Sequence, residues 1–383
     1  MPYTRYITKL ILICTICFVQ NSIAQYDTLN HDGLERSYFV HVPSSYSNGD
    51  SIPLIIAMHG GFGSAANLQV QSQLNVKADN SNFIVVYPEG VKNLLNIRTW
   101  NGGACCGYAV NQNIDDVGFI STLIDSLQEN YSIDSDRIYA TAISNGGYMA
   151  YRLACELSDK IAAIAPVSAS MNLPTCTPER AVPIIHFQSY LDDNIPYLGG
   201  YGNGPSDHYN PPLDSIFNVW GNLNNCTTIQ DTLTDNDEYT LVQWSDGDCN
   251  AEINYYITQD GGHSWHGGNA TVIGDDVSTY ISANDLMWAF FQEHSMDCSE
   301  LGIEEATNQN PVKIFPNPST GIIYLELPNT TIDYQVYISD LTGRTIEKYT
   351  RQKEIDLRHF PKGLYTLSIK SHSFNFEEII LLQ

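Results

Sequence analysis

Positive charge is scarce in this chain: 18 Lys and Arg stand against 43 Asp and Glu, a net charge of −25 over 383 residues. Such a surface repels a phosphate backbone, which excludes nucleic acid as a partner. Long apolar runs are missing too. The run Leu10 to Val19 falls well short of the roughly 20 residues a membrane-crossing helix needs, and no other stretch is long enough. The one CxxC pair, Cys14-Thr15-Ile16-Cys17, lies inside that apolar run and none follows it, which removes the usual redox and zinc spacings from the rest of the chain, and no repeat of about 20 to 50 residues points to a solenoid or propeller. Apolar residues are plentiful by contrast, with 43% hydrophobic, 11% aromatic and only 16% charged. A chain of that composition buries enough surface to fold. Its length exceeds what one core usually carries, so it is expected to divide.

The acidic excess is unevenly spread. Residues 25–311 hold 35 acidic and 8 basic residues, whereas residues 312–383 hold 8 of each, a shift that marks a domain boundary. Arg5 and Lys9, the apolar run after them and Ser22-Ile23-Ala24 before Gln25 read as a secretory signal peptide, residues 1–24. Export makes disulfides permissible. Beyond the leader lie Cys105, Cys106, Cys155, Cys176, Cys226, Cys249 and Cys298, an odd set that leaves at least one thiol over. Cys226 and Cys249 flank two strands around the turn Asp235-Asn236-Asp237 and are expected to bond across that hairpin. The adjacent Cys105 and Cys106 are expected in separate structural bridges rather than in a metal or redox site.

From Arg36 to Phe187 short β-branched runs alternate with helical periodicity. The runs Tyr38 to Val42, Leu54 to Met58, Phe83 to Tyr87, Arg137 to Thr141, Ile161 to Val167 and Pro183 to Phe187 read as strands. Phe119, Ile120, Leu123, Ile124 and Leu127 line one helical face. This alternation predicts an α/β domain with a mostly parallel sheet covered on both faces. A closing helix follows Ala283, with Leu286, Phe290 and Phe291 on one face and Asn284 as its cap. Residues 25–298 are therefore assigned to the α/β domain and 299–311 to a polar linker. Residues 312–383, with short strands between Gly, Pro and Asn turns, are assigned to a small all-β sandwich.

The strand Arg137 to Thr141 runs into Ala142-Ile143-Ser144-Asn145-Gly146-Gly147 and then a helix. That is the setting of a nucleophile elbow, although Ala142 stands where the usual pattern has Gly. The glycine-rich loop His59-Gly60-Gly61-Phe62-Gly63 follows an earlier strand and can aim backbone N–H groups at a developing oxyanion, together with the N–H of Asn145. Gly61 is the favoured loop donor and Phe62 its competitor. His59 is structural in this order of residues. Asp192 lies just past the strand ending at Phe187, and His263 follows the strand Ile253 to Thr258. The order Ser144, Asp192, His263 is that of the α/β-hydrolase triad. Asp193 is the rival acid and His266 the rival base. No carboxylate or cysteine motif accompanies His263 and His266, so the reading calls for no metal and no cofactor.

These residues resemble the secreted esterases that group polyhydroxybutyrate depolymerase-like proteins with feruloyl and acetylxylan esterases of carbohydrate esterase family one. The resemblance is carried by HGGFG at 59, YPEG at 87, WNGGACCG at 100, DDVGF at 115, AISNGG at 142 and GGHSW at 261. It implies an α/β-hydrolase and supports the triad. It makes Asp115 and Asp116 a structural helix start rather than catalytic groups. Trp265 either lines the acyl pocket or packs against the catalytic loop, and Phe62 is placed with it on the substrate side. His266 stands where this family commonly has Pro. Ile314-Phe315-Pro316-Asn317-Pro318, Asp340-Leu341-Thr342-Gly343-Arg344 and Lys362-Gly363-Leu364-Tyr365 resemble the C-terminal sorting domain of the type IX secretion system. That resemblance implies a partner in the secretion machinery and an extracellular or cell-surface location. A carbohydrate-binding module is the rival for the tail, which has no Trp.

The resulting expectation is a secreted serine carboxylesterase acting on feruloyl or related acyl esters of plant polysaccharide such as xylan. A polyhydroxybutyrate depolymerase, acting on a polyester, is the alternative. A non-catalytic surface binding protein on a hydrolase scaffold is the alternative from another class. The loop Leu198 to Pro212 is expected to shape specificity.

Overall fold

A computed structural model describes residues 26–298 apart from 48, 206, 207, 272 and 273, together with 313–327, 334–339, 344–371 and 375–383. The leader at 1–24, the linker at 299–311 and Asp340 to Gly343 lie outside the described residues. The chain divides into two compact units, Met1–Cys298 and Ser299–Gln383. Among the described residues no helix is long and apolar enough to cross a membrane.

The first unit is built on a 10-stranded sheet. Its centre is parallel, in the spatial order Ile84–Pro88, Ile52–Met58, Ile133–Ile143, Ala163–Val167, Ile184–Ser189 and Ile253–Thr258. Antiparallel strands close both edges: Asp27–His31 and Leu34–His41 on one side, Tyr239–Ser245 and Thr228–Asp235 on the other. Every residue of Ile52–Met58, Ile84–Pro88 and Ala163–Val167 is buried, as a parallel strand covered on both faces must be. Alternation along one strand divides the core. Leu54, Ile56 and Met58 point to the cluster that holds Phe119, Ile120, Leu123 and Leu127 of helix Asp116–Asn130. Ile55 and Ala57 point to the other, with Leu68, Leu74, Met287, Phe290 and Phe291. This is the α/β architecture expected from the residue pattern, and it fits the α/β-hydrolase fold that the resemblance implies.

Asp115 caps helix Asp116–Asn130 by accepting the Gly118 N–H. Asp116 is fully buried and binds Arg36 Nη2 at 2.7 Å and the Asn101 N–H at 2.8 Å. Both aspartates are thus structural. The closing helix runs Ala283–Gln292, but its cap is Ser282, which accepts the Asp285 N–H. Asn284 sits inside the first turn instead, where Trp265 Nε1 and the Ser72 carbonyl occupy its amide.

The cysteine assignments need correction. The hairpin around Asn236 is present, yet Cys249 bonds Cys298 and Cys226 is left as a buried free thiol. The cause is the turn Asp248–Asn250, which lies past the end of the hairpin and puts Cys249 at φ 56°. Cys249 meets the returning chain at Cys298, with the Cα atoms 5.1 Å apart. Cys226 faces inward, toward the Ala251 carbonyl, and burial first, then Asp246, Glu252 and Asp248, push its thiol up to about 11. Cys155 pairs with Cys176. Cys105 and Cys106 do not join separate bridges; they bond each other.

The second unit sets the three-stranded sheet Lys313–Phe315, Ile322–Glu326 and Glu354–Asp356 and the four-stranded sheet Thr345–Thr350, Tyr334–Ser339, Gly363–Ser371 and Asn375–Leu382 around one core. Ile323, Leu325, Val336, Ile338, Ile355 and Leu367 belong to that core. Alternate residues of Ile322–Glu326 are buried and exposed, the pattern of antiparallel sheets covered on one face.

Candidate active site

Ser144 joins strand Ile133–Ile143 to helix Asn145–Glu156 at φ 58° and ψ −127°. A residue with a side chain holds that conformation only where its surroundings over-determine it, and a strained strand-to-helix turn is the mark of a nucleophile elbow. The neighbours are small because backbones meet here. A Cβ on Gly146 would lie 2.6 Å from the Met58 and His59 carbonyl oxygens, and one on Gly147 would lie 2.3 Å from the Ala169 Cβ. Ala142, by contrast, sits in regular strand opposite Met58 and Pro166 and packs into the core. Its methyl group is accommodated.

His263 Nδ1 lies 3.0 Å from Asp192 Oδ2 and 3.2 Å from Oδ1. Asp192 is itself tightly held. Its Oδ1 accepts the Asn194 and Ile195 N–H groups at 3.0 and 2.9 Å, and its Oδ2 accepts from Gln188 Nε2 at 2.9 Å. A carboxylate with that many donors is fixed in direction. Beyond Gln188 the buried chain continues through His186 to the Tyr151 hydroxyl. The His263 backbone N–H donates to Asp275 Oδ2 at 2.7 Å, which ties down the loop that carries the ring. Burial alone would lower the His263 pKa, but the Asp192 charge and hydrogen bond, helped by Asp275 and Asp193, outweigh it and raise the pKa above the ordinary imidazole value. Gln188 and Asp275 went unnoticed in the sequence, where nothing marks an amide in a strand or an acid twelve residues past a histidine.

The rivals are elsewhere. Asp193 Oδ2 accepts from Asn203 Nδ2 at 2.9 Å. His266 is buried against Phe187, and burial lowers its pKa to about 4. His59 is also buried and lowered by burial to about 4. Its Nε2 accepts the Gly90 N–H at 3.0 Å, so Nδ1 carries the proton and donates to the Gly60 carbonyl at 2.7 Å. That ring splints the glycine loop.

Of the two loop N–H groups, Phe62 donates to the Arg98 carbonyl at 3.1 Å. Gly61 stands beside Asn145, where an added Cβ would lie 3.7 Å from the Asn145 Cβ. Asn145 opens its helix, where the first N–H groups have no intrahelical partner. The Phe62 N–H is therefore taken by Arg98, while Gly61 is the loop residue that lies beside Asn145. The Asn145 side chain has a second task that the motif does not reveal. Its Oδ1 accepts the Trp100 N–H at 2.7 Å and its Nδ2 donates to the Trp100 carbonyl at 3.1 Å.

Ser144, Asn145, Gly61 and His263 open on one cavity of about 530 Å³, which Phe62, Ile97, Cys105, Cys106, Tyr108, Tyr148, Ile195 and His208 also line. Phe62 is 54% exposed there, consistent with a place on the substrate side. Trp265 is not. It is fully buried in the core, with its Nε1 on Asn284 Oδ1 at 3.0 Å, because the residue two beyond His263 turns away from the cavity. Of the expected specificity loop, Gly204, Pro205 and His208 reach the cavity wall.

Residues 36–173 match the family model Esterase PHB depolymerase, and residues 313–382 match the secretion system C-terminal sorting domain. Feruloyl esterase B of Piromyces equi is 31% identical over 202 residues, covering 50% of this chain and 36% of that protein. A bifunctional acetylxylan esterase/xylanase of Neocallimastix patriciarum is 27% identical over 261 residues, covering 66% and 35%. Poly(3-hydroxyalkanoate) depolymerase C of Paucimonas lemoignei is 25% identical over 186 residues, covering 48% and 42%. The chain spans well under half the length of these curated relatives. The kinship expected for both parts of the chain is found, and the sorting domain assigns the protein to the cell exterior or surface.

Proposed function

We propose that this protein is a secreted serine carboxylesterase that works through an acyl-enzyme on Ser144. The carrying observation is that Ser144, on a strained elbow, and His263, held by Asp192, open on one cavity. Serine is a weak nucleophile near neutral pH. His263 Nε2 takes its proton as the oxygen attacks the ester carbonyl, while Asp192 fixes the tautomer with the proton on Nδ1 and balances the imidazolium. The Gly61 and Asn145 N–H groups receive the negative charge of the tetrahedral intermediate. The proton then goes to the departing alkoxide, and a water activated by the same ring releases the acid.

The substrate class that fits best is a feruloyl or related acyl ester on plant polysaccharide. Support comes from the relatives named for feruloyl and acetylxylan ester cleavage. The match to the depolymerase family model favours a second reading, a short-chain polyester as substrate. The residues from 312 to 383 engage the type IX secretion machinery in this proposal. The test compares the wild-type chain and Ser144→Ala on methyl ferulate, acetylated xylan and a polyhydroxybutyrate suspension. Turnover is expected to fall by about three or more powers of ten in the variant. Retained activity would refute the mechanism, activity on the polyester alone would favour the second reading, and no activity on any ester would favour a binding protein.

A further inference from the structure

Cys105 and Cys106 stand in the wall of the cavity that holds Ser144, and no step of the ester chemistry uses them. Their sulfurs lie within 4.8 Å of a His208 ring nitrogen, but sulfurs bonded to each other offer neither a nucleophile nor a thiolate ligand. What they offer is a surface. A ring closed between adjacent residues has no free side-chain rotor, so an apolar group resting on it need not freeze one. Divalent sulfur is polarisable and makes favourable contact with aromatic rings. Cys105 is 1% exposed and packs with Tyr148 and Ile195, so it is the half-buried Cys106, lying against the same cluster, that presents the disulfide to the cavity. Cys105 Sγ is also 3.7 Å from Asn145 Nδ2, one side chain away from the oxyanion donor. Ile97, Tyr108 and Ile195 continue the apolar lining.

Resting on the esterase reading, we propose that the Cys105–Cys106 disulfide is a specificity-determining shelf on which an aryl acyl group lies. An acetyl group is too short to leave the neighbourhood of Asn145 and gains little from the shelf. A cinnamoyl-type group extends over it. The disulfide thus sets the preference for ring-bearing acyl esters over acetyl esters.

Non-reducing peptide mapping of the full chain is expected to show the two cysteines joined to each other; free thiols or other partners would overturn the proposal. In Cys105→Ser/Cys106→Ser and Cys105→Ala/Cys106→Ala, kcat/KM on methyl ferulate should fall about tenfold, mainly through KM, while p-nitrophenyl acetate stays within about twofold, the size of effect an apolar pocket contact has on discrimination. Equal losses on both esters would make the disulfide only a tether, and an unchanged ratio would make it irrelevant; either overturns the shelf. Should the double variants fail to fold, folded wild-type protein is treated with a phosphine, which is oxidised as water supplies the two thiol protons. Alkylation mapping then confirms selective reduction, and the same selective loss is expected. A chain that cleaves p-nitrophenyl acetate through Ser144 but shows no change in ratio refutes the shelf alone. A chain inactive on both esters refutes the reading beneath it.

Discussion

Replacing Asn145 separates its main-chain role from its side-chain role. In Asn145→Ala the backbone N–H remains at the head of the helix, but the Trp100 N–H loses its acceptor at 2.7 Å inside a buried site. Leaving a buried donor unsatisfied costs about 1–3 kcal/mol. The Trp100 carbonyl loses one donor at 3.1 Å but still receives the Cys106 N–H at 3.4 Å, so about 1 kcal/mol more is expected there. The total, about 2–4 kcal/mol, corresponds to a drop in Tm of roughly 5 °C or more in a domain of this size. Asn145→Asp is the sharper variant. It keeps one acceptor for the Trp100 N–H but turns a second oxygen toward the Trp100 carbonyl, burying either a charge or a clash of acceptors, so it should be at least as unstable as the alanine. Urea unfolding of both variants measures this, alongside kcat on an activated ester. Because the proposed oxyanion donor is main chain, kcat in Asn145→Ala should fall by less than about tenfold, far less than loss of a triad member. An aspartate variant as stable as wild type would refute the clamp between the helix and the Trp100 loop.

His263 accepts a proton only when neutral, and its pKa is raised, so turnover should fall as pH drops through a value above about 6.5. The stability effect has the opposite sense: the imidazolium paired with Asp192 stabilises the fold below that pH, and this contribution is lost as pH rises through the folded value. Asp275→Asn keeps an acceptor for the His263 N–H but removes a negative charge, so the acid limb of the kcat/KM profile should move to lower pH; a limb that stays in place refutes the electrostatic part of the assignment. Cys298→Ser opens the Cys249–Cys298 bond, with a sequence separation of 49, and should lower stability by up to about 4 kcal/mol. Cys226→Ser should cost much less, and equal losses in urea unfolding would restore the hairpin pairing.

The contrast between what the residue pattern discloses and what it hides follows the range of the interactions involved. Ser144, Asp192 and His263 are legible because each follows an apolar run whose strand character is set by its own side chains. The partner of Cys249 is not, because it depends on where the chain returns after helix Ala283–Gln292. Trp265 and His263 are neighbours in sequence, yet one ring enters the core and the other the cavity, a divergence fixed by the loop's path. Ser282 and Asn284 are equally good caps by residue type. Ser282 takes the role because the indole of Trp265 and the Ser72 carbonyl claim Asn284. The same division separates chemistry from specificity. The proposed reacting groups are read from local motifs, whereas the cavity wall draws on residues 61–62, 93, 97, 99, 105–108, 148, 194–195, 204, 205 and 208, which meet only in the folded chain. A pocket assembled in this way can change its preferred ester by substitutions in those segments without disturbing the elbow, the acid or the base.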